Sequence, residues 1–390
     1  MKKTALLLIL PILVSCSFKY SYEVSPYEVF GVIDSNMNYI SPLNSFVKLQ
    51  MYNQEELNEI KTEFNNRIKT THMNVDSYHK YNLVNNIKTV NENYNNGSVK
   101  VSEELIDITK KSIELTKLTK GLFNVSMGQV IDLWSESFNN PYLLPNMTND
   151  PDFNELQDAL TSVIDYQNID QYIVIDENNL TIELKPLENS RVPVSLNFGG
   201  ISKGFALDRV NDLFLNNQPA IISAGSSSIS LKGKFPLSNR DYYLVNLKEP
   251  ALYKESQTEV FCQLKLGEYT NISNSGDYEK FFISVDTGEF RSHIINPKTG
   301  YSDNFHRSAV VWSNTHSYVL DVLSTTLMNI ETFEDIKKMV EDFETFYQSE
   351  IAYCIIDDYD NGYNLSVNQK FYNSINFNKI SSTIKNVNIV

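Results

Sequence analysis

Apolar and polar positions along this 390-residue chain repeat with two periods, one of strands and one of helices. Residues 46–52 alternate as a strand, and 54–68 carry Leu57, Ile60, Phe64 and Ile68 at helical spacing. Helical spacing returns over 103–119 through Leu105, Ile108, Ile113, Leu115 and Leu118, with Gly121 as the stop signal. Residues 172–175 and 180–184 flank Asp176-Glu177-Asn178-Asn179, a hairpin signature. An extended run (Val192, Val194, Leu196) leads into a helix-like one (Phe205, Ala206, Val210, Leu213, Phe214). Further strands are expected at 220–223, 242–247, 260–266, 309–312 and 351–356, and further helices at 318–330 and 333–343. Residues 139–152, rich in Asn and Pro, read as a surface excursion. This mixture predicts an α+β fold built on one mainly antiparallel sheet system.

The first residues break the pattern. Lys2 and Lys3 precede an apolar run from Ala5 to Val14 that is short for a membrane-spanning helix, and Leu13-Val14-Ser15-Cys16 follows. This is the layout of a lipoprotein signal: residues 1–15 are removed, Cys16 takes the lipid, and 16–34 form a polar, tyrosine-rich membrane tether. The remaining 35–390 form the functional domain, facing the extracytoplasmic side. The formal charge is −15, and loss of the two signal lysines leaves 31 basic residues against 48 acidic ones, or −17. Such a surface argues against nucleic acid as a partner. Cys262 and Cys354 are too few for a disulfide framework, so one bridge or two buried thiols both remain open.

Candidate chemistry centres on Asn197-Phe198-Gly199-Gly200-Ile201-Ser202-Lys203-Gly204-Phe205-Ala206-Leu207-Asp208. Paired glycines at a strand-to-helix turn let backbone approach a ligand closely and aim N–H groups at an anion, and Lys203 adds positive charge. The reading is a phosphate or pyrophosphate cradle. Ser273-Asn274-Ser275-Gly276-Asp277-Tyr278 suits a tight hairpin loop. His293 precedes Ile294-Ile295-Asn296-Pro297-Lys298-Thr299-Gly300, whose end predicts a turn, and is a candidate general base. Asp321 and Thr325, four apart, share one helix face and form a plausible hard-cation pair. A helix-terminal Asp and a Thr bonded back to its own chain is the plainer alternative.

In order, these stretches resemble the ApbE family of flavin transferases, which move FMN from FAD onto a threonine of a target protein. The series is Gly121-Leu122-Phe123-Asn124-Val125-Ser126, then 197–208, Ala224-Gly225, Asn274-Ser275-Gly276-Asp277-Tyr278, 293–300 and 321–327, spanning about residues 120–330. The N-terminal third fits only loosely. The resemblance implies a T-fold-related α+β domain, with a mainly antiparallel sheet core, packed helices and an inserted α/β portion. It also implies FAD as substrate, Mg²⁺ as cofactor, and a partner protein carrying the flavinylated threonine.

The resemblance assigns roles by position. Gly200 (through its backbone oxygen), Asp321 and Thr325 match the metal ligands. Tyr78, Leu122, Phe123, Asn124, Asn197, Lys203 and Ile295 match positions that contact FAD, with Tyr81 as a rival to Tyr78. His293, Asp321 and Lys203 form the catalytic group. Four positions depart from the family pattern: Asn stands at 124 and 197 where Asp is usual, and Ser223 and Ser226 stand where Asn and Gly are usual. Asn keeps hydrogen bonding and loses two negative charges. The expected activity is therefore flavin transfer, with FAD pyrophosphatase action or FAD binding without turnover as alternatives.

Overall fold

The computed structural model describes residues 20–24, 47–139, 147–214, 218–225, 227–235, 241–252 and 260–390. The signal segment 1–15 and Cys16 lie outside the described residues.

A nine-stranded sheet organises the described chain. Its strands run across the sheet as Tyr20–Val24, Val47–Met51, Ala220–Ala224, Ser228–Lys232, Asn271–Gly276, Ser308–Ser313, Ala352–Tyr359, Gly362–Val367 and Ile384–Ile389. Neighbours pair antiparallel except the last two, which are parallel. Such pairing places the strands of a hairpin side by side, as in Ala352–Tyr359 with Gly362–Val367, turned by Asp360 and Asn361 at positive φ. Three smaller three-stranded sheets flank it. One of them joins Val99–Lys100, Thr181–Leu184 and Ile173–Asp176, all antiparallel.

Two helices lie together under the central strands: Ser202–Arg209 and Ser317–Leu327. The second is buried nearly all round, its polar Asp321, Ser324 and Thr326 included. A helix covered on every side belongs between layers. Its Val319, Leu320, Val322, Leu323 and Leu327 join the largest apolar cluster, together with Phe198, Ile201 and Phe205 from the cradle segment.

Several sequence expectations change in the fold. Residues 20–24, read as tether, pair in register with Val47–Met51 and extend the sheet edge. The helix expected over 54–68 runs Gln54–Val75, because its last turns bury the polar Thr71, His72 and Asn74 and so hide from an apolar period. Residues 192–196 form no ladder strand; a single bridge, Met127 to Ser195, is all that pairs them. Met147–Thr148, inside the expected surface excursion, forms a short parallel pair with Phe281–Ser284. Most consequential, 273–278 is not a loop: Asn271–Gly276 is the fifth of the nine strands. Both cysteines are buried free thiols, which settles the choice left open above. Among the described residues no helix is long and apolar enough to cross a membrane.

Candidate active site

The cradle turn is fixed from both sides. Asn197 donates its backbone N–H to the Val125 carbonyl at 2.8 Å, and its Oδ1 accepts the Gly199 N–H at 2.8 Å. The Ser202 N–H reaches the Phe198 carbonyl at 2.9 Å and starts the helix. Phe123 closes the back of the turn, for a Cβ on Gly200 would stand 3.3 Å from its ring. Glycine is required more strongly one turn on. A Cβ on Gly204 would lie 2.3 Å from the Ser317 carbonyl oxygen and 2.7 Å from the Tyr318 Cα. The two helices touch backbone to backbone there.

That contact delivers Asp321 to the cradle. Its Oδ2 accepts the Gly204 N–H at 2.9 Å, while the Ser228 and Ser273 hydroxyls stand 3.4 Å from Oδ1. Asp321 is 3% exposed and has no ion pair within 4 Å among the described residues. Burial pushes its pKa above the usual carboxylate range, against the opposing pull of Lys203 and the Gly204 N–H. Lys203 makes no hydrogen bond or ion pair with a described residue, so its ammonium is available to a ligand.

Hydroxyls surround this carboxylate. Ser275 Oγ lies 2.8 Å from Ser324 Oγ and 3.1 Å from Thr325 Oγ1, and Ser273 Oγ lies 3.1 Å from Ser324 Oγ. Thr325 Oγ1 also donates to the Asp321 carbonyl at 3.0 Å, the plainer role foreseen for it, and keeps lone pairs free. Among the described residues no group of three or more His, Cys, Asp or Glu side chains could hold a metal. One carboxylate with hydroxyl and carbonyl oxygens is nonetheless a fitting donor set for Mg²⁺, which favours oxygen and keeps several waters or phosphate oxygens. A buried carboxylate with no ion pair within 4 Å, facing only the more distant Lys203 charge, is the observation that leaves room for a cation there.

His293 stands at the edge, its Nδ1 3.2 Å from the Lys280 carbonyl oxygen. A carbonyl only accepts, so Nδ1 carries the proton and Nε2 keeps its lone pair. Surrounding protein and then the Lys203 ammonium push the ring below the usual histidine range. The residue is exposed on its outer side, and solvent moderates the first of those effects.

The remaining expected contacts divide. Tyr78 is 41% exposed and hydrogen-bonded to Ser135 at 3.2 Å, with the Asn197 side chain of the cradle nearby. Tyr81 is buried, its hydroxyl bonded to His72 and Asp76, so the rival is a core residue. Phe123 backs the glycine turn, with half-buried Leu122 packed on the core beside it. Asn124 and Ile295 differ from expectation. The Asn124 amide donates to the Ile164 carbonyl at 2.8 Å, and its Oδ1 accepts from the Ser126 N–H and hydroxyl, so the side chain braces the loop inward. Ile295 packs in a satellite cluster with Trp134 and Phe282. Sequence reasoning missed Ser228 and gave no individual role to Ser273, Ser275, Ser324 or Gly204 within the stretches it singled out; only the glycine inside a helix-forming run hinted at a close approach.

Asp132 was missed as well. It sits near Tyr78 with its Oδ1 buried and without a hydrogen-bond partner, and burial raises its pKa to about 6.

Fold and site together define a class: an α+β protein in which a glycine–lysine turn faces one buried carboxylate ringed by hydroxyls. The family model described as the ApbE family matches residues 43–347, and the chain belongs to that family. The protein named FAD:protein FMN transferase from Haemophilus influenzae is 26% identical over 234 residues, covering 60% of this chain and 62% of that protein. The chain thus aligns with somewhat less than two thirds of that relative. The protein of the same name from Vibrio cholerae is 25% identical over 280 residues, 70% of this chain and 72% of its own. Among solved structures, the ApbE protein of Thermotoga maritima superposes with a TM-score of 0.64 at 24% identity, covering 81% of this chain and 92% of that one. The flavin transferase ApbE from Vibrio cholerae gives 0.63 at 18%, covering 86% and 97%. These likenesses establish the fold.

Proposed function

We propose that this protein transfers FMN from FAD to a threonine of an extracytoplasmic acceptor protein and releases AMP, with Mg²⁺ as cofactor. The observation that carries this reading is the buried, ion-unpaired Asp321 fastened to the N-terminal turn of the glycine–lysine helix by the Gly204 N–H. The names borne by the relatives from Haemophilus influenzae and Vibrio cholerae support it.

In this reading the cradle N–H groups and the Lys203 ammonium hold the FAD pyrophosphate, with Tyr78 and Asn197 beside the nucleotide. Asp321, Thr325 and the Gly200 carbonyl would hold Mg²⁺, which when bound supplies positive charge against the pyrophosphate oxygens. The acceptor threonine oxygen bonds to the FMN-side phosphorus, and the bond from that phosphorus to the bridging oxygen breaks. AMP leaves with the bridging oxygen. His293 Nε2, already the unprotonated nitrogen, takes the threonine proton. Lys203 balances charge as it builds on the departing phosphate. The Asn at 124 does not weaken this reading, because that side chain faces the Ile164 carbonyl.

We further propose that Cys16 carries a lipid and anchors the domain to the membrane on its extracytoplasmic face. The basic start, apolar run and Leu13-Val14-Ser15-Cys16 support that placement.

The test is incubation of the protein with FAD, Mg²⁺ and a candidate membrane redox subunit, followed by in-gel flavin fluorescence. Flavin on the acceptor is the expected result. AMP release without label would replace transfer by hydrolysis, and unchanged FAD would reduce the protein to a binder.

A further inference from the structure

The cradle helix Ser202–Arg209 has a second cavity at its far end, away from Lys203. About 520 Å³ in volume, it is lined by Lys232, Asp208, Asn211, Thr315, His316 and Gln348, among others. Lys232 ends the strand Ser228–Lys232 and is 8% exposed. Its ammonium has no hydrogen bond or ion pair with any described residue, although it faces a cavity rather than packed protein. A lysine this deep ordinarily has a partner.

Nearby Asp208 does not supply one. Its carboxylate accepts the Ser317 N–H at 3.1 Å, the Tyr318 N–H at 3.0 Å and the Asn211 Nδ2 at 3.1 Å, and it stands beyond ion-pair distance from Lys232. Its donors are in place without the lysine. Asn211 adds the converse deficit, an Oδ1 that is buried and accepts nothing. The cavity therefore offers one unmatched cation, while the Asn211 Oδ1 is closed off from it. Burial lowers the Lys232 pKa to about 8, with Asp208 opposing, so at neutral pH the ammonium is still the main form.

We infer that this cavity is a binding site, separate from the active site, for a small hydrogenphosphate-like oxyanion. An anionic oxygen of the ligand pairs with the Lys232 ammonium, which faces the cavity. The ligand class covers inorganic phosphate and small phosphate monoesters, whose head groups present such an oxygen. The cavity lies at the end of the cradle helix, where Asp208 also accepts the Ser317 N–H at the start of the second helix.

Inorganic phosphate is the probe, measured by thermal unfolding of the full chain against sodium chloride of equal ionic strength. Wild type, Lys203→Ala (which disables the cradle) and Lys232→Met are compared. The expected result is a saturable rise on the order of 2 °C at ten times the Kd in wild type and Lys203→Ala, and none in Lys232→Met. A rise lost in Lys203→Ala, kept in Lys232→Met, or absent from wild type overturns the site. Should Lys232→Met not fold, limited acetylation of wild-type lysines replaces it, read per residue by mass spectrometry. Phosphate at twice its Kd should then slow acetylation of Lys232 roughly threefold and leave the exposed Lys298 unchanged. Equal effects on both lysines, or no slowing at Lys232, overturn it too.

Discussion

Gly204 and Asp321, 117 residues apart in sequence, are joined by one hydrogen bond: the Gly204 N–H donates to Asp321 Oδ2 at 2.9 Å. It ties the helix that would bind phosphate to the helix that would bind the cation. The charge of one and the geometry of the other are thus set together.

Replacing Asp321 by Asn keeps an oxygen for the Gly204 N–H and removes the charge. Flavin transfer should fall by about 10²–10³ and lose its dependence on added Mg²⁺, while the melting temperature holds or rises, since a buried charge is relieved. Transfer at the wild-type rate would sink the metal assignment.

Gly204→Ala tests the contact itself. Its methyl would meet the Ser317 carbonyl oxygen at 2.3 Å, backbone that cannot rotate away. The helices must separate, at a cost of about 1–3 kcal/mol in urea unfolding, with activity reduced further than FAD binding. An unshifted unfolding midpoint contradicts the close packing of Gly204 against Ser317.

The two neighbouring tyrosines should separate cleanly. Tyr78→Ala raises the KM for FAD with little change in stability, because the ring is part of the exposed cradle wall. Tyr81→Phe leaves KM alone and destabilises by about 1–3 kcal/mol, since Asp76 and His72 lose a buried hydroxyl. Matching effects on both observables for both variants would refute the division.

Restoring the usual family residue should harm the protein at one position and not at the other. Asn124→Asp removes the donor to the Ile164 carbonyl and buries a charge, predicting a loss of about 1–3 kcal/mol in unfolding free energy. Asn197→Asp retains the acceptor for the Gly199 N–H and should be tolerated. Equal stability of the two variants would show that Asn124 is not a brace.

His293 sets a pH signature. Its pKa lies below the ordinary histidine value, so the ring is neutral and able to accept a proton at neutral pH. Activity should fall as pH drops through that lowered pKa, and stay level above it until other groups titrate. His293→Ala should slow transfer by about 10²–10⁴ and remove that acid limb. An unchanged limb in the variant assigns it to another group.

Much of the architecture was legible because it is local. Leu105, Ile108, Ile113 and Leu115 spell a helix, Asp176 at its turn spells a hairpin, and Gly199-Gly200 spells the tight turn that leads into a helix. Order of motifs then pointed to the family. The last forty or so residues gave less: only 351–356 was read as a strand, although 362–367 and 384–389 complete the same sheet. Their alternation is diluted by Asn, Tyr and Lys on an exposed face.

What the sequence by itself determined is therefore the inventory: helices from their period, the cradle from its glycines, and the residue types able to bind phosphate and a hard cation. Tertiary structure alone decided how those groups are used. Ser273 and Ser275 look like loop residues by composition, yet a central strand points them at Ser324 and Asp321, because their hydroxyls find partners across the layer rather than along the chain. Asn124 reads as a ligand contact but turns inward to a carbonyl 40 residues away. Period and turn chemistry act over a few residues. The pairing of Gly204 with Asp321 depends on how closely two helix backbones approach, and no local pattern encodes that distance.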